Sequence, residues 1–213
     1  GPDTEMFWKN VEIWNDVFME YNKDANNNYT QLKQKNVDTG MGVERTVALL
    51  NGLNDNYKSP IFLPVIKEIE SISSKKYRGN EKAMRIIADH LRASVFILGD
   101  DKQIHPSNTE QGYVLRRLIR RAIRYGKQLG IKDNFTSKIA KVVIKLYPDY
   151  QELARNHKFI ISELDAEESR FLETLEKGLK KFNEIANNFK KIIPGREAFL
   201  LFQSYGFPIE ITQ

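Results

Sequence analysis

Five arginines cluster on about three turns of a helix predicted at residues 109–129. Helical spacing places them on two ridges, one with Arg116, Arg120 and Arg124 and the other with Arg117 and Arg121. No acidic residue interrupts residues 112–131, so the positive charges repel one another. Because the planar guanidinium matches the geometry of phosphate, this face predicts binding of a polyphosphate backbone with strong salt dependence.

Two other interpretations of this helix are open. Its opposite side is an apolar stripe of Leu115, Leu118, Ile119, Ala122 and Ile123. That stripe is needed for a core, which argues against an acidic membrane surface as the partner. A solvated basic face, with acidic partners from another helix such as residues 163–168, is the simpler alternative. Charge alone does not indicate base-specific recognition.

A second group of residues with chemical potential is the segment Asp38-Thr39-Gly40-Met41-Gly42. Two glycines two residues apart allow a close backbone approach to a ligand or a tight turn from strand to helix. A carboxylate beside such a turn can pair with a compact cation. Taken alone, a residue such as Asp38 is most often an acid of a turn or of a helix N-terminus.

The elements that position these residues predict an α+β fold, in which a small partial antiparallel sheet precedes a larger, mostly α-helical domain. Residues 5–22 are predicted as one strand, 23–29 as a polar loop and 30–37 as a second strand. The segment 38–42 is predicted to break the strand before a helix that runs from Val43 to about Leu50.

Beyond residue 60 almost every segment has helical periodicity. Helices are predicted at residues 61–73, 82–99, 109–129, 137–147, 150–189 and 195–205. A polar stretch at residues 53–60 is the best candidate for a boundary. The predicted organisation is therefore a first domain at 1–52, a connector at 53–60 and a helical domain at 61–213.

Composition excludes several classes of protein. The 213 residues contain no cysteine and three scattered histidines, which argues against a disulfide framework, thiol chemistry and a metal site, and fits a reducing cytoplasm. No apolar run approaches the roughly 18 residues of a membrane span, and the first residues are not typical of a signal peptide. The net charge of +5 is modest, so the concentration of arginine matters more than the total.

Several segments resemble, in the same order, those of the alanyl-tRNA synthetases, a class II family. Residues 12–19 (Glu-Ile-Trp-Asn-Asp-Val-Phe-Met) resemble the strand lining their amino-acid pocket, and residues 36–45 (Asn-Val-Asp-Thr-Gly-Met-Gly-Val-Glu-Arg) resemble their third class II motif. Residues 85–93, 106–121 and 167–178 resemble their helical tRNA-recognition domain, and Tyr205-Gly206-Phe207-Pro208 resembles the segment that ends it.

The resemblance implies that the parent enzyme activates alanine with ATP to alanyl-adenylate and transfers alanine to tRNA(Ala). It implies alanine, ATP with Mg²⁺ and the tRNA acceptor stem as partners, and neither DNA nor a membrane. The first two class II motifs would precede residue 1. The editing domain with its zinc site would follow residue 213. We therefore expect the 213-residue chain alone to be inactive.

Roles within the amino-acid and ATP pockets follow from the same resemblance. It implies that Asp38 holds the α-ammonium group of alanine, with help from Asn15 on the neighbouring strand. Val11 is implied to form part of the wall around the methyl group, and Gly40 to leave room beside it. Gly42 and Arg45 are implied in ATP binding, with the arginine against the adenine ring and the phosphates. Because the alanine carboxylate attacks the α-phosphate, this chemistry requires positioning and charge stabilisation and no catalytic side-chain nucleophile.

The resemblance also implies a set of tRNA-binding residues. Asn108 is expected to contact a base edge near a G·U wobble pair of the acceptor stem, although the same residue is also typical of a helix N-cap or a turn. Phosphate contacts are expected from Arg116, Arg117, Arg120 and Arg121. The family usually has Asp where this chain has Gln203, so the strictness of wobble-pair recognition is open.

Three hypotheses follow from the sequence. The chain is part of an alanine–tRNA ligase, a stand-alone helical RNA-binding module without catalysis, or a structural helical domain with a solvated basic face. Salt-sensitive binding to tRNA acceptor stems would count against the third.

Overall fold

The computed structural model describes residues 2–189, 192–205 and 207–209. Contacts between Cα atoms divide the chain into two compact units, residues 1–64 and residues 65–213. The first unit contains a three-stranded antiparallel sheet and the second is mostly helical. The predicted α+β class is therefore confirmed.

The first unit is an antiparallel sheet in the order β1-β2-β3, followed by two short helical elements. They are β1 (Asp3–Trp8), β2 (Val11–Lys23), β3 (Tyr29–Met41), α1 (Val43–Leu50) and a 3-10 helix (Asn56–Lys58). The prediction of one strand at 5–22 is wrong, because the chain turns at Lys9 and Asn10. Lys9 has φ of 54°, a left-handed conformation that ends β1 and returns the chain as β2.

The third strand is longer than the sequence predicts. It continues through Asp38, Thr39 and Gly40, where a break was predicted, because Trp14–Met19 of β2 offers a continuous partner for residues 36–41. Helix α1 begins only after Gly42, whose backbone N–H donates to the carbonyl oxygen of Ile13 at 2.9 Å. Strand pairing therefore overrides the local preference of the glycines.

Seven helices follow in the described part of the chain. They are α2 (Leu63–Ser73), α3 (Glu81–Gly99), α4 (Glu110–Gln128), α5 (Thr136–Leu146), α6 (Gln151–Arg155), α7 (His157–Asn188) and α8 (Gly195–Tyr205). The predicted single helix at 150–189 is interrupted at Asn156. Its buried amide donates to the Gly99 carbonyl at 2.8 Å and to Asp101 at 3.1 Å, so tertiary hydrogen bonds fix the break.

The core of the helical unit lies where α3 packs against α4. Ile87, Leu91 and Val95 of α3 are fully buried, as are Leu115 and Ile119 of α4. The apolar stripe predicted for the arginine-rich helix is thus confirmed, except that Leu118 is only half-buried. None of the helices described is both long and apolar enough to cross a membrane.

Candidate functional site

Three of the predicted alanine-binding residues lie together on the sheet. Asn15 of β2 is directly opposite Gly40 of β3, and Val17 is directly opposite Asp38. Alternate residues of a strand point to the same face, so Asn15, Gly40 and Asp38 share one face. Asp38 is exposed, and no hydrogen bond or ion pair engages its carboxylate among the residues the structure describes. Its carboxylate is therefore available to a cation.

The side chain of Asn15 occupies the space that Gly40 leaves open. A Cβ atom at Gly40 would lie 3.1 Å from the Oδ1 of Asn15, closer than ordinary van der Waals contact. The amide of Asn15 also donates to the Glu12 carboxylate at 3.1 Å. Gly40 was predicted to make room for a methyl group. In the structure its open side faces the Asn15 amide, and the role beside the methyl group stays a prediction.

Arg45 is anchored to the sheet from the first turn of α1. Its Nη1 donates to the carbonyl oxygen of Glu12 at 2.9 Å, and its Cδ would lie 3.2 Å from a Cβ at Gly42. The glycine thus lets the arginine side chain fold back across the start of the helix. The remaining N–H groups of the exposed guanidinium can donate to an anion.

Arg45 lines a shallow pocket of about 150 Å³ together with Trp8, Val11 and Ile13. Val11 therefore lies beside Arg45, whereas Asn15, Asp38 and Gly40 do not line this pocket. A pocket that encloses a drug-sized ligand usually has roughly 300 Å³ or more. This pocket is therefore smaller than one that encloses a drug-sized ligand.

The arginines of α4 divide into two groups with different surroundings. Arg116 and Arg120 face the buried carboxylate of Glu167 on α7, with Nε–Oε1 distances of 3.4 and 2.6 Å. Arg170 also approaches this carboxylate, at 3.4 Å. Burial lowers the pKa of the Arg116 guanidinium from its ordinary value, and the charge of Glu167 opposes that shift. This ridge therefore has an acidic partner within the fold, as the simpler interpretation allowed.

The second ridge faces solvent. Arg117 and Arg121 are exposed, and no described acidic residue pairs with either of them. The Arg117 guanidinium lies 5.7 Å from the ring centroid of Tyr113, one turn earlier on the same helix. Tyr113 is itself 45% exposed. An exposed cationic ridge with an aromatic ring is a surface on which nucleic acid can bind.

Asn108 lies in the loop before α4 and is held by Arg116. The Nη1 of Arg116 donates to the Oδ1 of Asn108, and its Nη2 donates to the Pro106 carbonyl at 3.0 Å. Because arginine can only donate, the oxygen of the Asn108 amide must face Arg116. The NH2 group of this exposed residue is then left to face solvent. The helix N-cap is Thr109, so Asn108 does not cap the helix.

Gln203 is exposed on α8, a helix that packs against α7. Its amide keeps both a donor and an acceptor at the surface. The four-residue segment that follows resembles the end of the tRNA-recognition domain, and Gly206 within it lies outside the described residues. Phe207 is buried, and its N–H donates to the Leu201 carbonyl at 3.0 Å.

Sequence reasoning did not assign a site role to Glu167 or Tyr113. Glu167 was recognised only as one of several acids that could neutralise α4, because its burial depends on how α7 packs. A usable signal did exist for Tyr113, which stands four residues before Arg117 and therefore on the same ridge.

The sequence of the chain is similar to those of known proteins. A family model described as class II tRNA synthetases (A) matches residues 4–213. The chain belongs to that family, and the predicted family is confirmed.

The relatives carry a more specific name. Alanine–tRNA ligases of Treponema denticola and Borreliella afzelii are 52% and 46% identical to the chain, and the alignments cover all of the chain and 40% of each relative. The alanine–tRNA ligase of Staphylococcus epidermidis is 42% identical, with 24% of its length covered. The chain therefore spans two fifths or less of the length of these relatives.

Proposed function

We propose that the chain supplies part of the alanine and ATP pocket of an alanine–tRNA ligase and binds the acceptor stem of tRNA(Ala). The observation that carries the RNA-binding part is the exposed ridge of Arg117 and Arg121, which has no described acidic partner. Arg116 and Arg120 contribute less to phosphate binding in this proposal, because Glu167 already engages them. Family membership and the named relatives support the choice of tRNA over other polyphosphates.

In the amino-acid pocket, the Asp38 carboxylate pairs with the α-ammonium group of alanine. Asn15 stands beside it on the adjacent strand and is fixed by Glu12 and Gly40. Val11 contributes to the wall around the methyl group. No side chain acts as a nucleophile, so the contribution of these residues to adenylate formation is orientation of the substrate.

In the ATP site, this chain contributes residues on one side of the nucleotide. Arg45 is anchored through one nitrogen and can direct others toward phosphate oxygens, with Gly42 keeping the helix start open. When bound, ATP with Mg²⁺ would supply the α-phosphorus that the alanine carboxylate attacks, with pyrophosphate as the leaving group. Arg45 stabilises negative charge there and does not transfer a proton.

The salt dependence of RNA binding tests the exposed ridge. In the 213-residue chain, Arg117→Ala and Arg121→Ala should each weaken binding of an acceptor-stem RNA hairpin. Each should also reduce the slope of log K against log salt concentration by about one, since each removes about one phosphate contact. Fluorescence anisotropy over a series of KCl concentrations measures both quantities.

Lys180→Ala is the matched control for these variants. Lys180 is an exposed basic residue on α7, paired with Glu176 at 3.3 Å. Its removal changes the net charge by the same amount but leaves α4 intact. Equal salt slopes for the parent chain and both arginine variants would rule out the exposed ridge as the RNA-binding face.

A further inference from the structure

Glu167 is a fully buried carboxylate surrounded by arginines. Its exposed fraction is 0%, and three guanidiniums approach it, those of Arg116, Arg120 and Arg170. Arg120 makes the shortest contact, at 2.6 Å, and also lies over the ring of Phe171. A buried charge needs such compensation to be tolerated. These contacts fix the position of the Glu167 carboxylate, which can in turn orient a side chain that lies against it.

Among the contacts of the described residues, Arg116 alone of these three arginines links the carboxylate to the loop that carries Asn108. The Nε of Arg116 faces Glu167 at 3.4 Å, while its two terminal nitrogens donate to the Asn108 side chain and to the Pro106 carbonyl. One planar, mostly buried group thus connects α7 to the loop at residues 106–109. A lysine could not make these contacts together, because it has a single point charge on a flexible stem.

The loop itself requires external support. Glu110 begins α4 with φ of 49°, a conformation that non-glycine residues rarely adopt. Such a conformation persists only where the surroundings over-determine it. The Ser107 N–H donates to the Gly112 carbonyl at 3.0 Å, and the Ser107 hydroxyl donates to the Thr109 carbonyl at 2.9 Å, so the loop backbone is held locally. Among the described residues, the side chain of Asn108 is held by Arg116.

We propose that Glu167 and Arg116 are positioning residues for base-pair discrimination, through which α7 fixes the direction in which Asn108 presents its amide. This inference rests on the proposed binding of the acceptor stem and on the base-edge contact that the family resemblance implies for Asn108. Neither Glu167 nor Arg116 touches the base pair in this arrangement. Their contribution is the orientation of one amide, so it concerns the choice between RNAs more than affinity for RNA.

The test compares two acceptor-stem hairpins that differ at one base pair, G·U or G·C. The parent chain should bind the G·U hairpin more tightly, by roughly two- to tenfold for one hydrogen bond. Asn108→Ala should remove this preference. Arg116→Lys and Glu167→Gln should reduce the ratio of the two Kd values toward that of Asn108→Ala. Combining Arg116→Lys or Glu167→Gln with Asn108→Ala should not reduce the Kd ratio below that of Asn108→Ala alone.

Arg120→Lys is the matched control, because Arg120 touches the same carboxylate and makes no described contact with the loop. It should lower the midpoint of thermal unfolding and leave the Kd ratio unchanged. A purely structural role for the cluster would instead change the ratio equally in Arg116→Lys and Arg120→Lys. Circular dichroism identifies folded variants. If Glu167→Gln fails to fold, the Kd ratio of Arg116→Lys alone tests the positioning role.

The two proposals fail in different ways. If Asn108→Ala removes the preference but Arg116→Lys retains it, the positioning role is wrong and the base contact stands. If the parent chain has no preference, or Asn108→Ala keeps it, the base contact is wrong and the positioning role falls with it. The salt slopes of Arg117→Ala and Arg121→Ala report separately on phosphate binding.

Discussion

Arg116 and Arg117 are neighbours in sequence with opposite surroundings in the structure. Arg116 is mostly buried against Glu167, whereas Arg117 is exposed beside Tyr113. A count of five arginines on α4 therefore overstates the charge that this helix offers to an anion. The two proposals accordingly assign different roles to these neighbours: phosphate binding to Arg117 and orientation of the Asn108 amide to Arg116.

The packing around Gly112 predicts the effect of a single substitution on the free energy of unfolding. A Cβ at this position would overlap the Ser107 hydroxyl and the His105 carbonyl oxygen, both in the loop before α4. Because a backbone oxygen cannot move aside cheaply, Gly112→Ala should lower the free energy of unfolding by about 1–3 kcal/mol, the usual cost of overpacking. Urea unfolding followed by circular dichroism measures the change.

Gly195→Ala is the comparison for this variant. Gly195 is also helical, and a Cβ there would meet nothing within 4 Å. Replacing an open helical glycine by alanine is neutral or slightly stabilising. Equal free energies of unfolding for Gly112→Ala and Gly195→Ala would contradict the close packing of the loop against α4.

The start of α5 shows how one helix is fixed by another. The buried Glu168 of α7 accepts hydrogen bonds from the backbone N–H groups of Phe135 and Thr136, at 3.1 and 2.9 Å, and from the Thr136 hydroxyl at 2.6 Å. Unpaired N–H groups at a helix N-terminus need such acceptors. Burial raises the pKa of the Glu168 carboxyl, and these hydrogen bonds oppose the rise.

The raised pKa of Glu168 gives a pH-dependent prediction. Above its folded pKa the buried carboxylate costs stability, and this cost disappears as pH falls toward the unfolded value near 4.5. Gln does not titrate, so the stability advantage of the parent chain over Glu168→Gln should be larger at pH 5 than at pH 7.5. Urea unfolding at the two pH values measures that difference.

The exposed Glu173 of the same helix provides the control. Glu173→Gln should leave the free energy of unfolding nearly unchanged at either pH, as is usual for surface substitutions. An advantage over Glu168→Gln that stays constant or shrinks as pH falls would contradict the proposed effect of burial.

Periodicity predicts the helices of this chain better than its strands. The buried stripe of α4 follows from spacing alone, because every third or fourth residue is apolar. The turn at Lys9 and the break at Asn156 do not, since one depends on a left-handed backbone and the other on hydrogen bonds to residues more than fifty positions away. Within the site, the motif around Asp38 is visible in sequence, but the burial of Glu167 is not.

At the scale of the whole molecule, we expect the chain to bind RNA without catalysing adenylate formation. Asn15 and Asp38 lie on a largely solvent-facing sheet, and Arg45 lines only a shallow pocket. Catalysis by positioning needs a site that encloses its substrates. We expect the 213-residue chain to bind an acceptor-stem hairpin but to give no alanine-dependent exchange of pyrophosphate into ATP.

The Asp38→Ala variant provides the reference for that assay. It should give the same background signal as the parent chain, since neither completes the pocket. Exchange by the parent chain that Asp38→Ala abolishes would show that these residues alone build a working site.

The sheet of the first unit has a practical consequence. Among the described residues, β1 and β3 each pair on one side only, and large apolar side chains such as Phe7, Trp8 and Val37 are more than half exposed. Unpaired strand edges are templates on which other copies of a chain add strands. Solutions of the chain should therefore self-associate as they are concentrated. Light scattering over a dilution series will set the highest concentration at which RNA titrations report on monomers.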